Sequence, residues 1–186
     1  MYLIAFAALL LAGADETPSR CPTQTPRNVS AREMTNDELI AALRPGDFER
    51  VTAAVAEIAH RGEPMIPSLA SLKGCRETFF GGGLGTPMSA QLIPDTKAGN
   101  LDPIPLEQAA IYLIVGIYRG SLEHASSPYF ADVRGPHDHR ISVSPRLNAR
   151  AWQSVDRWLA KWRTSNVTAL RRHHEDPLAG SKLAFW

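Results

Sequence analysis

The residues best suited to chemistry in this chain are its histidines. His137-Asp138-His139 sets two imidazoles and a carboxylate in alternation on one short polar segment. Those side chains suit Zn²⁺ or a similar ion, and a loop can present them together. One short segment seldom completes such a site. A third ligand would have to come from His124, His60 or the pair His173-His174, brought in by folding. The competing reading is a solvated polar loop, and it is preferred here, so no cofactor is expected. His124 follows an apolar helix and reads as a hydrogen-bonded interior or boundary residue.

Gly81-Gly82-Gly83-Leu84-Gly85 invites a phosphate-binding reading, because exposed backbone N–H groups can cradle anions. The details point elsewhere. A P-loop needs Gly-Lys-Ser/Thr opening a helix, whereas Thr86-Pro87 follows here. The dinucleotide fingerprint needs a preceding strand in a βαβ unit, and no such unit is visible. A structural or recognition loop flanked by Phe79, Phe80, Leu84 and Met88 is the expectation, its glycines letting the chain pack closely. Neither a G-x-S-x-G elbow nor an H-E-x-x-H motif stands out, and no paired-carboxylate signature does. Glu107 and Glu123 bracket one helix, too far apart to act on one bond from that helix alone. Glu57 and His60 lie three apart, and a surface pair explains them equally well. Catalysis has no positive support.

Charge and composition bound the rest. Twenty basic residues against 19 acidic ones leave a net charge of +1, which does not indicate bulk DNA or an anionic membrane as partner. Arg171-Arg172-His173-His174, with Lys161, Arg163 and nearby Trp residues, could be read as a nucleic-acid patch. The Trp spacing fits a core stripe better, and Glu175-Asp176 interrupts the basic run. A basic face toward a protein or envelope polymer is the preferred use, with no nucleic acid. With 44% hydrophobic and 21% charged residues in 186, the chain reads as one globular domain rather than a disordered segment.

The elements that would position these residues read as helical. Thr35-Asn36-Asp37-Glu38 is a capping box ahead of Leu39, Ile40 and Leu43. Pro45-Gly46 breaks that helix and Asp47 is placed to cap the next, in which Phe48, Val51, Val55 and Ile58 share a face. Gly62 ends it; Ile66, Leu69 and Leu72 continue an apolar stripe to Gly74. Asp47 to Leu72 resembles a HEAT-type helical hairpin, with Asp47, Arg50, Ala53, Ala54, Gly62, Pro67, Leu69 and Leu72 filling the pattern. That resemblance implies an α-hairpin that stacks on neighbours and offers a binding surface, without enzymatic activity.

From Gly81 to Pro105 there are five Gly and four Pro with no periodicity, a long loop. Pro105 then starts the strongest helix, where Leu106, Ala109, Ala110, Leu113, Ile114 and Ile117 mark one face. Ile111, Tyr112, Val115 and Tyr118 make the remaining faces apolar, so this is the buried central helix, ending at Arg119-Gly120. Ser126 to Pro145 reads as a second loop. A final helix near 148–163 carries Trp152, Val155, Leu159 and Trp162 at spacings of 3, 4 and 3, and 166–186 reads as basic and irregular.

Met1 to Ala14 is an uncharged apolar run too short to span a membrane and ending in Ala12-Gly13-Ala14. It reads as a signal peptide, with the mature chain starting at Asp15, although only the α-amino group supplies charge at its start. Cys21 and Cys75 survive such cleavage, and an oxidising compartment permits their pairing. Two unpaired buried thiols are the alternative.

The expected organisation is therefore a signal peptide (1–14), a flexible linker (15–34), a helical domain (35–165) and an irregular C-terminal segment (166–186). The expected fold is all-α, an irregular HEAT-like array or bundle around the central helix, with long Gly/Pro-rich loops. The expected function is an exported, periplasmic or secreted, non-enzymatic protein-binding or scaffolding module, possible roles including an inhibitor or immunity-type antagonist. Its partner would be another protein or an envelope component, with no stable membrane span in the mature form. The recognition surface would combine the 76–104 and 126–145 loops, through Phe79, Phe80, Leu84, Met88, Tyr129 and Phe130. The alternative is a metal-dependent enzyme or metal-binding protein using His137 and His139.

Overall fold

The structure is a computed structural model that describes residues 21–79, 104–122, 128–135, 138–142 and 144–185, with backbone alone along 131–135 and 138–142. Six α-helices dominate: α1 (Asn36–Ala41), α2 (Phe48–Arg61), α3 (Ile66–Ala70), α4 (Leu106–Arg119), α5 (Pro145–Trp162) and α6 (Val167–Arg172). The starts of α1, α2 and α6 follow from side chains that satisfy otherwise orphaned N–H groups. Thr35 and Glu38 form a reciprocal capping box on α1, Asp47 accepts from Glu49 N at 3.0 Å on α2, and Asn166 accepts from Ala169 N at 2.8 Å on α6. α4 is the axis of the molecule. Every residue from Leu106 to Tyr118 is buried. Helix α3 packs on α4 and α1, α2 packs on α1 and α4, and α5 packs on α4 and α6.

The chain can turn back at the end of α4 because of two glycines. A Cβ on Gly116 would lie 2.1 Å from Leu122 Cδ2, so glycine here lets the Leu122 side chain rest against the helix. Gly120 takes φ 77°, the left-handed conformation in which glycine closes helices at little cost.

The chain is mostly helical, as expected, and a small sheet accompanies the helices. The stretch 126–145, read as a loop, contains an antiparallel hairpin of β1 (Phe130–Gly135) and β2 (Asp138–Ser142). The C-terminal segment, read as irregular, supplies α6 and then β3 (Leu183–Phe185), which pairs antiparallel with β1. The sheet order is β2-β1-β3, with Phe130 opposite both Ser142 and Phe185. Aromatic packing joins sheet to helix. Phe130 stacks on Phe185 with ring centroids 4.8 Å apart, and Tyr112 of α4 meets the Phe185 ring edge-on at 5.2 Å. The sequence where the two strands meet reads Gly-Pro-His-Asp, a turn-type composition that masked the short strands on either side.

The segment expected as a flexible linker, 15–34, is described from residue 21 on. Residues 21–34 carry one 3₁₀ turn (Ala31–Glu33) and are strapped to the helices by arginines. Arg50 donates to Pro26 O at 2.9 Å and to Arg27 O. Arg61 donates to Met34 O at 2.8 Å, to Arg32 O at 3.2 Å and to Asn36 Oδ1 at 2.9 Å. Guanidinium groups thus supply the hydrogen bonds that a segment without regular structure lacks. Residues 1–14 and 15–20 lie outside the described residues.

Glu38 locks the strap. Its carboxylate accepts from Arg27 and from Thr35 N at 2.8 Å. The Arg27 guanidinium first, and the Thr35 amide second, hold its pKa down at about 2 from an ordinary 4.5. A carboxylate depressed in the folded state stabilises fully above its unfolded pKa and loses that contribution as pH falls towards the folded value. Wild-type stability is therefore expected to fall more steeply between pH 4.5 and about 2 than that of Glu38→Gln, which has no charge to neutralise. Urea midpoints across that interval decide it; identical slopes would contradict the role given to Glu38.

Candidate functional site

The frame around the Gly/Pro-rich segment is built from backbone and one disulfide. Cys21 and Cys75 are bonded, with an S–S distance of 2.06 Å. Cys75 O accepts from Glu107 N at 3.0 Å, Leu106 N donates to Glu77 O at 2.8 Å, and Phe79 N donates to Ile104 O at 2.7 Å. Thr78 and Pro105 form an antiparallel bridge between the two stems. The buried Glu107 carboxylate closes the frame. It accepts from Gly74 N at 3.0 Å and from Asn148 Nδ2 at 3.2 Å, tying the chain after α3 to the first turns of α4 and α5. Such an acid is stable in the interior because both oxygens are hydrogen-bonded. Glu107 is thus a structural brace, and nothing in its sequence neighbourhood marks it as more than an acid at a helix start.

The stems come together, but the expected aromatic surface does not. Phe79, Tyr129 and Phe130 are all buried and belong to the core, correcting their assignment as surface anchors. Each sits beside a paired backbone segment, so its side chain is covered by the elements that pair there. Phe80, Leu84 and Met88 lie outside the described residues, as does the Gly81–Gly85 run.

His137, the first candidate metal ligand, also lies outside the described residues. His139 stands in β2 with its Cα opposite Val133. Of the possible third ligands, His124 lies outside the described residues, while His60, His173 and His174 are exposed. Among the described residues the group with metal-ligating atoms in proximity is Cys21, Cys75 and Glu77. Its two sulfurs are spent on each other in the disulfide, so that donor set does not fit a metal. Glu57 pairs with Arg61 at 2.8 Å, one turn on, and not with His60.

Two members of the basic C-terminal stretch, Lys161 and Arg171, are engaged by the fold, while Arg163, Arg172, His173 and His174 are exposed. Arg171 donates to Tyr118 O, and to Ile117 O at 2.7 Å, capping the C-terminal carbonyls of α4. Lys161 pairs with Glu175 at 2.5 Å and Arg119 with Asp176 at 3.5 Å. Trp152 and Trp158 are buried, and Trp158 Nε1 donates to Glu175 O at 2.9 Å. Trp162 Nε1 donates to Glu63 Oε1 at 2.7 Å. These rings are engaged in the fold and do not form a platform for stacked bases. Among the described residues no helix is long and apolar enough to cross a membrane.

Sequence reasoning missed Glu63 and Arg171 as partners of α4, α5 and α6, because each looks like an ordinary charged residue near a helix end. The chain matches no protein-family model, no curated protein and no solved structure.

Proposed function

We propose that this chain is an exported, non-enzymatic binding or scaffolding module whose recognition segment is 80–103, displayed by the stems at Phe79 and Ile104. The observation that carries this reading is the clamp itself. Both stems are hydrogen-bonded to each other, and Cys75, just upstream, is cross-linked to Cys21. Function concentrates on loops held by a rigid scaffold, and ends fixed in this way lower the ordering entropy a partner must offset. The stretch Asp47 to Leu72 would act as a HEAT-like hairpin within that scaffold. The disulfide and the signal-like run Met1 to Ala14 support an address in the periplasm or outside the cell. The partner is another protein or an envelope component.

The test uses the oxidised mature chain, immobilised and exposed to envelope extract, beside a variant lacking Gly82-Gly83. The partner is expected to be retained by the wild type and lost on the variant while both melt alike. Equal capture by the two chains would overturn the assignment of 80–103.

A further inference from the structure

A cleft of about 200 Å³ opens between the C-terminal turns of α2 and α4 and the start of α6. Glu63, Thr168 and Arg171 line it, together with Gly62 and Gly120. Its two charged groups share an arrangement. Each has one side fixed by the fold and the other side unused. Glu63 Oε1 accepts from Trp162 Nε1 at 2.7 Å and from Val167 N at 3.2 Å, while Oε2 has no partner among the described residues. Arg171 spends Nε and Nη2 on Tyr118 O and Ile117 O, leaving Nη1 without a partner among the described residues. Gly120 leaves room for the guanidinium, since its ideal Cβ would sit only 3.3 Å from Arg171 Nη2. The carboxylate and the guanidinium line one cleft, yet they form no ion pair with each other.

A carboxylate and a guanidinium already immobilised by the fold cost a ligand little ordering, and charge-assisted hydrogen bonds to them are the strong ones. The space is below the range that takes drug-sized molecules, which selects a ligand of a few heavy atoms. We propose that this cleft binds a small zwitterion, a free α-amino acid. Its ammonium sits on Glu63 and its carboxylate on Arg171, with the Thr168 hydroxyl at the rim. The proposal does not depend on the reading of 80–103.

The experiment titrates the full oxidised chain with L-alanine, L-valine, L-glutamate and L-lysine by calorimetry. The N-acetyl and methyl-ester forms of the best binder follow. Saturable binding of at least one amino acid is expected at concentrations up to about 1 mM, with each blocked form weaker by about tenfold or more. Glu63→Gln keeps an acceptor for Trp162 Nε1 and Val167 N while removing the charge. It is expected to weaken the free amino acid by about tenfold and leave the N-acetyl form unchanged. The Arg171 contact is read from the ester, because replacing Arg171 would also uncap α4. Absence of saturable binding for all four, or blocked forms binding as well as the parent, would overturn the proposal.

Discussion

Leu113→Ala is expected to cost about 2–5 kcal/mol of folding stability, a large share of the roughly 5–15 kcal/mol available to a domain of this size. Leu113 is 1% exposed and lies midway along a helix with no solvent-facing side from Leu106 to Tyr118. Truncating it removes the apolar contacts of the isobutyl group and leaves a void. Neighbours above, below and on both flanks are themselves fixed by packing, so they cannot collapse into it. Helix propensity does not offset the loss, because Leu is nearly as good a helix former as Ala. Urea denaturation measures the effect. A change below about 1 kcal/mol would mean that α4 is not the packed axis described above.

Replacing both cysteines, Cys21→Ala with Cys75→Ala, is expected to cost as much as about 4 kcal/mol, the chain-entropy value for a cross-link across 54 residues. The effect lies mainly in the unfolded chain, which gains freedom when the loop opens. The native strap remains, since Arg50 and Arg61 still hold residues 26–34 through carbonyl oxygens. The variant should therefore fold, with a lower urea midpoint and a larger denaturant slope as its unfolded state expands. A midpoint equal to that of the oxidised wild type would show that the bond does not constrain the unfolded chain.

Legibility in the sequence followed the range of the interactions. The capping box at Thr35 and Glu38, the cap at Asp47 and the apolar faces of α4 depend on residues within a few positions, and each was readable. The sheet was not. Strand β3 is three residues long and owes its existence to pairing with β1, more than 50 residues earlier in the chain. The strap was equally hidden. A Pro- and Ser-rich stretch looks like a linker until Arg50 and Arg61, from a helix downstream, are seen to take its carbonyls. Buried charge was the third blind spot. Glu107 reads as a solvated acid at a helix start, and only folding brings Gly74 N and Asn148 Nδ2 to its oxygens. For the candidate site, the paired stems at Phe79 and Ile104 flank the Gly/Pro-rich stretch that composition marks, most of which lies outside the described residues. That Phe79, Tyr129 and Phe130 serve the core was not readable, because an aromatic beside a turn looks the same whether it anchors a partner or a sheet.

The proposed separation of scaffold from recognition segment is tested most directly by the unfolding free energy of the chain lacking Gly82-Gly83, measured beside Leu113→Ala. Shortening a loop changes its closure entropy only slightly, so the deletion is expected to stay within about 0.5 kcal/mol of the wild type. Leu113→Ala should lose several times more in the same experiment. If the glycine deletion unfolds the protein while Leu113→Ala is neutral, the segment is core architecture and the recognition surface lies elsewhere.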